Sequence, residues 1–436
     1  MASTALFTDH YELTMLQSAL RSGTAARRSV FEVFARGLPA GRRYGVVAGT
    51  GRLLEALEDF HFGDEELEFL TAAGIVDGPT CEWLSSYRFA GDIDGYAEGE
   101  AYFPGSPVLV VEASFGEAVL LETLILSILN HDTAVASAAA RMVCAAADRP
   151  IIEMGSRRTH EEAAVAAARA TYVAGFTATS NLAAGRRFGI PTTGTSAHAF
   201  SLLYGSERDA FAAQVDALGA GTTLLVDTFD ETAAIRTAVE VAGPELGAVR
   251  LDSGDLLELA RDARIQLDGL GAHKTRIVVT SDLDEHAIAA LASAPVDGYG
   301  VGTAVVTGSG APTAGFVFKL VARALADEPD APLRPVAKRS TGKPSKGGRK
   351  WAVRRRGDTG RATAEVVLVG APPEARSSDR PLVVPLVRGG AVVVPGSLAA
   401  AREQWRTARA ELPPTALRLS RGEAALPTVY QGASRE

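Results

Sequence analysis

Short apolar runs recur through the middle of the chain: "PIIEMG", "FTATS", "IPTTGT", "TLLVDTF", "AVRLDSG", "RIVVTSD" and "VDGYGVGT". Each is continuously apolar or small rather than alternating, which marks strands of a parallel sheet buried on both faces. Patterns of helical period lie between them. Thr159 with Glu162 reads as a capping box before "AAVAAARATYVAG", with Gly175 at the helix end, and Ser281 with Asp284 repeats the device before "EHAIAALASA". Strands alternating with helices predict an incomplete (β/α) barrel of about seven units over residues 131–328, one unit short of eight. An open doubly wound sheet is the competing architecture.

The flanks follow different patterns. Up to residue 130, helical stretches ("GRLLEALEDF", "DEELEFLTAAG") mix with strand-like ones ("RSVFEVFARGLP", "DIDGYAEGEAYF"), which predicts an α+β domain. The apolar tract "PVLVVEASFGEAVLLETLILSIL" carries Glu112, Glu117 and Glu122, so it reads as a buried strand and a buried helix rather than a membrane span. Residues 329–436 are rich in Pro, Gly and Arg, with short runs such as "AEVVLVG" and "AVVVPG". They predict β structure with mobile loops, packing back on the N-terminal domain. The basic loop 338–350, "KRSTGKPSKGGRK", is either solvated or part of an anion site.

Composition narrows the function. The 436 residues are 47% hydrophobic and 22% charged, as in ordinary globular proteins, and exceed what one core usually fills. A net charge of -8 argues against nucleic acid or an anionic membrane as partner, while leaving room for a small anion in a local basic pocket. The two cysteines, Cys81 and Cys144, lack metal-ligand spacing and form no disulfide framework. With no signal peptide in "MASTALFTDHYELTM", a cytoplasmic location is expected.

Chemistry gathers where the strands end. The successive runs close on Arg157 and Arg158, Ser180 and Asn181, His198, Asp227, Asp252 and Asp255, Ser281 and Asp282, and Gly300, Gly302 and Thr303. Asp or Ser at one strand end is an ordinary helix cap. In a parallel barrel, though, all these ends share the face where active sites form. Paired arginines suit a carboxylate or phosphate, aspartates suit Mg²⁺ or sugar hydroxyls, and "GYGVGT" offers amides to a phosphate. No P-loop pattern is present. Within "GTSAHAF", His198 is either a buried histidine satisfied by Thr195 or Ser196, or a member of this site. Anion, sugar phosphate, Mg²⁺ and histidine together point to phosphoribosyl chemistry.

On these residues the chain resembles the nicotinate phosphoribosyltransferases. The resemblance runs through "TDHYELTM", "FEVFARGLPAGRRYGVVAG", "LETLILSILNHDT", "EMGSRRTHEEAAVAAARA", "ATSNLAAGRRFGIPTTGTSAHAF", "RLDSGDL", "GYGVGT" and "FKLV". It implies that nicotinate and 5-phosphoribosyl 1-pyrophosphate give nicotinate mononucleotide and pyrophosphate, in NAD salvage. It also implies ATP hydrolysis coupled through a phosphorylated histidine, here His198, with Mg²⁺ required.

The resemblance further implies a homodimer in which Asp9 and Tyr11 reach the partner's site, Tyr11 stacking on the pyridine ring. Arg157, with Arg158 and Ser180 nearby, would face nicotinate. Arg250 and Asp252 would hold the ribose or the Mg²⁺-bound diphosphate, with Asp255 as a second candidate for the metal. Ser281 and Asp282 would contact ribose phosphate, Gly300, Gly302 and Thr303 the 5′-phosphate, and Arg36 and Lys319 the pyrophosphate. Two alternatives remain, nicotinamide phosphoribosyltransferase and a non-catalytic phosphoribosyl-binding barrel. The first places an acid where this chain has Ser180, and the second predicts loss of His198 or Asp252.

Overall fold

The computed structural model describes residues 3–326, 328, 331–338, 345–374, 376–393 and 396–432. Of the basic loop 338–350, residues 339–344 therefore lie outside the described residues. The chain forms two compact units, Met1–Ser137 with Ala311–Glu436, and Ala138–Gly310.

In the first unit, the N-terminal and C-terminal segments share sheets. The strand Arg28–Ala35 pairs antiparallel with Leu109–Ser114 on one side and with Phe316–Ala324 on the other. Phe31 and Phe318 stack across that second pairing, with ring centroids 4.8 Å apart. This pairing places Phe316–Ala324 in the terminal unit, so the unit boundary falls at Gly310 rather than at 328.

A second sheet joins Lys350–Arg356, Ala362–Val369, Asp379–Pro381 and Thr428–Gln431. The helix Leu398–Glu411, absent from the sequence reading, is capped by Ser397 and buries Ala401, Trp405 and Ala408. Among the described residues one helical stretch, Phe115–Ala146, is long and apolar enough to cross a membrane, yet 67% of its apolar window is buried within the protein, as in a core helix.

The second unit carries the parallel sheet. Its strands are β1 (Ile151–Glu153), β2 (Ala178–Thr179), β3 (Thr223–Leu225), β4 (Ala248–Leu251), β5 (Arg276–Val279) and β6 (Gly298–Val301). Their order is β2-β1-β6-β5-β4-β3, with every pairing parallel. First and last strands are neighbours, and the order otherwise runs steadily away from them. That is the order of a barrel opened at one seam, not of a doubly wound sheet, whose order reverses at a switch point. The sheet is a curled half-barrel.

Six strands stand where about seven were expected. "IPTTGT" forms only a bridge, in which the Thr179 amide donates to Pro191 O and the Thr193 amide to Thr179 O, both at 3.0 Å. Pro191 has no amide hydrogen to extend the ladder. Among the described residues, the seam therefore lies between this segment and β3, and the chain crossing it carries His198.

Both expected capping boxes shift by sequence position. The helix Glu161–Ala174 starts at His160, whose Nδ1 accepts the Glu162 amide, and not at Thr159. The helix Glu285–Ala290 starts at Asp284, whose carboxylate accepts two amides at 2.9 and 2.8 Å. Asp284 thus takes the role expected of Ser281, and Ser281 is released to the strand end.

Candidate active site

At the C-terminal ends of five of the six strands, all but β3, lies a cavity of about 520 Å³. Arg157, Arg158, Ser180, Arg250, Asp252, Ser281, Asp282, Gly300, Gly302 and Thr303 all line it. These are ten residues singled out from the sequence, brought onto one face because parallel strands all end there. Asp9, Tyr11, Arg36 and Lys319 belong to the terminal unit, and neither they nor His198 and Asp255 are among the cavity's lining.

β4 supplies the anchor of the site. Arg250 Nη1 donates to Thr195 Oγ1 at 2.5 Å and to Ser196 O at 3.0 Å, and its Nε donates to Thr280 Oγ1 at 3.1 Å. The Thr280 hydroxyl in turn donates to Asp252 Oδ1, which lies 3.4 Å from Arg250 Nη2. One guanidinium thus ties the loop before His198 to the ends of β4 and β5. From the sequence Thr195 was considered only as a partner for His198, and Thr280 not at all; hydroxyls bordering the cavity carry no distinctive sequence signal.

His198 begins the short helix His198–Leu203, and its side chain is 40% exposed. The reading as a buried histidine satisfied by Thr195 or Ser196 fails, since its Nδ1 faces Thr228 Oγ1 at 3.3 Å. Its Nε2 lies 3.8 Å from Asp252 Oδ2 and 3.9 Å from Asp227 Oδ1. The Asp227 side chain is fully buried; its Oδ2 accepts the Asp252 amide at 3.0 Å and the Ser253 hydroxyl at 2.7 Å. Its Oδ1 has no hydrogen-bond partner. Negative charge accumulates here: burial, and then Asp230 and Asp227, push the Glu207 carboxyl above its ordinary value.

That charge bears on Mg²⁺. Among the described residues, no three His, Cys, Asp or Glu side chains form a cluster able to hold a metal alone. Mg²⁺ commonly uses one or two carboxylates completed by substrate phosphates and water. The unpartnered buried oxygen of Asp227 and the cavity-facing Asp252 fit that pattern. Asp255 does not: it caps the helix Leu256–Gly269, accepting the Leu257 and Glu258 amides at 3.2 and 3.4 Å.

Ser281 has a φ of 142°, rare for a residue with a side chain, and it lines the cavity. In the terminal unit, Lys319 lies on the strand Phe316–Ala324 and pairs with Glu122 at 3.7 Å. Tyr11, in the first turn of the helix His10–Arg21, is 45% exposed.

Comparison with known proteins places the chain in a family. Residues 6–130 match the family profile described as the nicotinate phosphoribosyltransferase N-terminal domain. The chain is 61% identical over 432 residues to nicotinate phosphoribosyltransferase pncB1 of Mycobacterium tuberculosis (strain CDC 1551 / Oshkosh), covering 97% of this chain and 94% of the relative. It is 39% identical to nicotinate phosphoribosyltransferase of Bacillus subtilis (strain 168), over 73% of this chain and 67% of that one. The crystal structure of human nicotinic acid phosphoribosyltransferase superposes with a TM-score of 0.81 at 26% identity, covering 97% of each chain. The chain belongs to the nicotinate phosphoribosyltransferase family.

Proposed function

We propose that this chain joins nicotinate to 5-phosphoribosyl 1-pyrophosphate, giving nicotinate mononucleotide and pyrophosphate. The observation carrying this reading is one cavity that holds Arg157 and Arg158 together with the β5 and β6 ends, Ser281, Asp282, Gly302 and Thr303. Arginines offer a planar, charge-assisted fork to nicotinate's carboxylate. Ser180 beside them brings no like charge, which favours the acid over its amide.

In the reaction, the pyridine nitrogen's lone pair forms the new bond to ribose C1. The C1–O bond breaks, and its electron pair leaves with pyrophosphate. No proton moves, so no general base is assigned. The protein's part is to align the two substrates and stabilise the charge on the departing group, with Arg250 fixing the ribose end. Mg²⁺, held by Asp252 with Asp227 behind it, would neutralise the diphosphate.

Coupling to ATP is assigned to His198. Thr228 occupies its Nδ1, which leaves Nε2 to take the phosphoryl group while ADP departs; water later removes that group as phosphate. The exposed ring of Tyr11, with Asp9, is assigned to the site of a second copy in a homodimer.

The test is product formation from phosphoribosyl pyrophosphate and Mg²⁺ with either nicotinate or nicotinamide, with and without ATP. Nicotinate mononucleotide made from nicotinate, faster with ATP, is the expected result. Turnover of nicotinamide instead would mean that Ser180 has been misassigned. Turnover of neither would leave a binding barrel.

A further inference from the structure

The reaction above gives no role to Glu153, a fully buried carboxyl at the end of β1, beside the cavity-lining Met154. A buried carboxyl carries a desolvation penalty that an apolar residue would avoid, so its presence calls for a reason other than stability. Its surroundings supply one. Oε1 accepts the Gly155 amide, and Oε2 accepts the Thr179 hydroxyl at 2.5 Å. Thr179 Oγ1 accepts the Asn181 amide at 2.9 Å, and Asn181 Nδ2 donates to Ser156 Oγ at 3.1 Å. The Ser180 amide donates to Glu153 O at 2.8 Å.

These bonds close a ring that joins the loop after β1 to the turn after β2. The outward members of those two loops, Ser156, Arg157, Arg158 and Ser180, line the cavity. The loop's path is also fixed from behind: a Cβ on Gly155 would come within 2.2 Å of Val306 Cγ1 and 2.9 Å of Glu153 Oε1. Burial pushes the Glu153 carboxyl up, while the Thr179 hydroxyl and the Gly155 amide pull it back.

We propose that Glu153 is a positioning residue for nicotinate: its two carboxylate oxygens set the spacing between the arginine loop and the Ser180 turn. It thereby governs affinity for the pyridine carboxylate, not for the phosphoribosyl donor and not the bond-breaking step. The inference rests on the reading of Arg157 and Ser180 as nicotinate contacts.

Steady-state kinetics of Thr179→Val, Glu153→Gln and Glu153→Ala, with Arg157→Ala alongside, test it. Thr179→Val keeps shape and removes the hydroxyl linking the two loops. It is expected to raise the nicotinate KM about tenfold, with the donor KM and kcat within about twofold of wild type. Glu153→Gln, which keeps an acceptor and the side chain's length, stays within about threefold, and Glu153→Ala matches or exceeds Thr179→Val. Should Glu153→Ala not fold, the near-isosteric Thr179→Val still decides.

A folded Thr179→Val enzyme with only a lowered Tm and an unchanged nicotinate KM would overturn the proposal. Equal rises in both KM values would overturn it too. In either case Arg157→Ala still raises the nicotinate KM if the pocket assignment is right. An Arg157→Ala enzyme with unchanged nicotinate KM would bring down that assignment, and this inference with it.

Discussion

Asp227, its side chain wholly buried, holds one carboxylate oxygen 3.9 Å from His198 Nε2 and places the other 3.0 Å from the Asp252 amide. One acid thus addresses the histidine and orders the neighbouring aspartate. His198→Ala is expected to fold, to lose stimulation by ATP, and to keep slow ATP-independent synthesis. Asp227→Asn should lower the ATP-dependent rate about tenfold, equivalent to about 1.4 kcal/mol. Radiolabel from γ-labelled ATP retained by wild type and absent from His198→Ala is the direct check. Undiminished ATP stimulation of His198→Ala removes the histidine from the coupling.

Arg157→Ala removes a charged hydrogen-bonding partner from the cavity. Such bonds contribute about 1.5–3 kcal/mol, so the nicotinate KM should rise about 10- to 100-fold, with the donor KM nearly constant. Equal rises in both KM values would move Arg157 out of the nicotinate pocket.

Tyr11→Ala and His198→Ala, each crippled alone, should complement each other if sites are built across subunits. A heterodimer then has one intact site, and random mixing restores about a quarter of wild-type activity. Verified heterodimers without activity would mean that each chain completes its own site.

Glu12 gives a pH prediction. It is fully buried, with Oε1 accepting the Thr123 amide at 3.0 Å and hydroxyl at 2.5 Å. Burial pushes its carboxyl up from 4.5 to about 7, with the Thr123 and Thr8 hydroxyls opposing. Between those two values the folded chain holds this proton more tightly than the unfolded chain, so stability falls as pH rises through that window. From pH 5 to pH 8, wild type should lose about 2–3 kcal/mol more than Glu12→Gln in urea unfolding. Matching losses in the two proteins would show that the carboxyl titrates normally.

Ser281, at φ 142°, is strained where glycine would not be. Ser281→Gly should raise stability by about 1 kcal/mol, and Ser281→Ala should not. Both variants lose the hydroxyl, so both should raise the donor KM, by about fivefold if one hydrogen bond is lost. A Ser281→Gly protein no more stable than Ser281→Ala would show that the backbone there is unstrained.

Much of the site was legible because every apolar run but "TLLVDTF" ends in residues that line the cavity. Period and composition sufficed for Arg157, Ser180, Asp252 and Gly302, since a parallel strand's direction determines where its last residue goes. What escaped depended on competition between neighbours. Asp284 accepts two amides where Ser281 was expected to cap, and Asp255 caps a helix where a metal ligand was expected. Pro191 reduced an apparent strand to a bridge. The Glu153 ring escaped for a different reason: its partners come from two loops whose meeting only the folded sheet determines. The C-terminal helix was missed although Ser397 and the spacing of Ala401, Trp405 and Ala408 announce it.

The open seam has an energetic consequence for His198. Shifting any of β1, β4, β5 or β6 breaks backbone pairings on both sides, so those strands move together or not at all. The loop 194–197 before His198 pairs with no strand, and the two bonds from Arg250 to Thr195 and Ser196 tie it to β4. Displacing that loop therefore costs about two hydrogen bonds, roughly 1–3 kcal/mol, and leaves the ladder intact. The part of the barrel to which phosphoryl exchange is assigned in the proposed function is thus the part whose motion is thermally accessible.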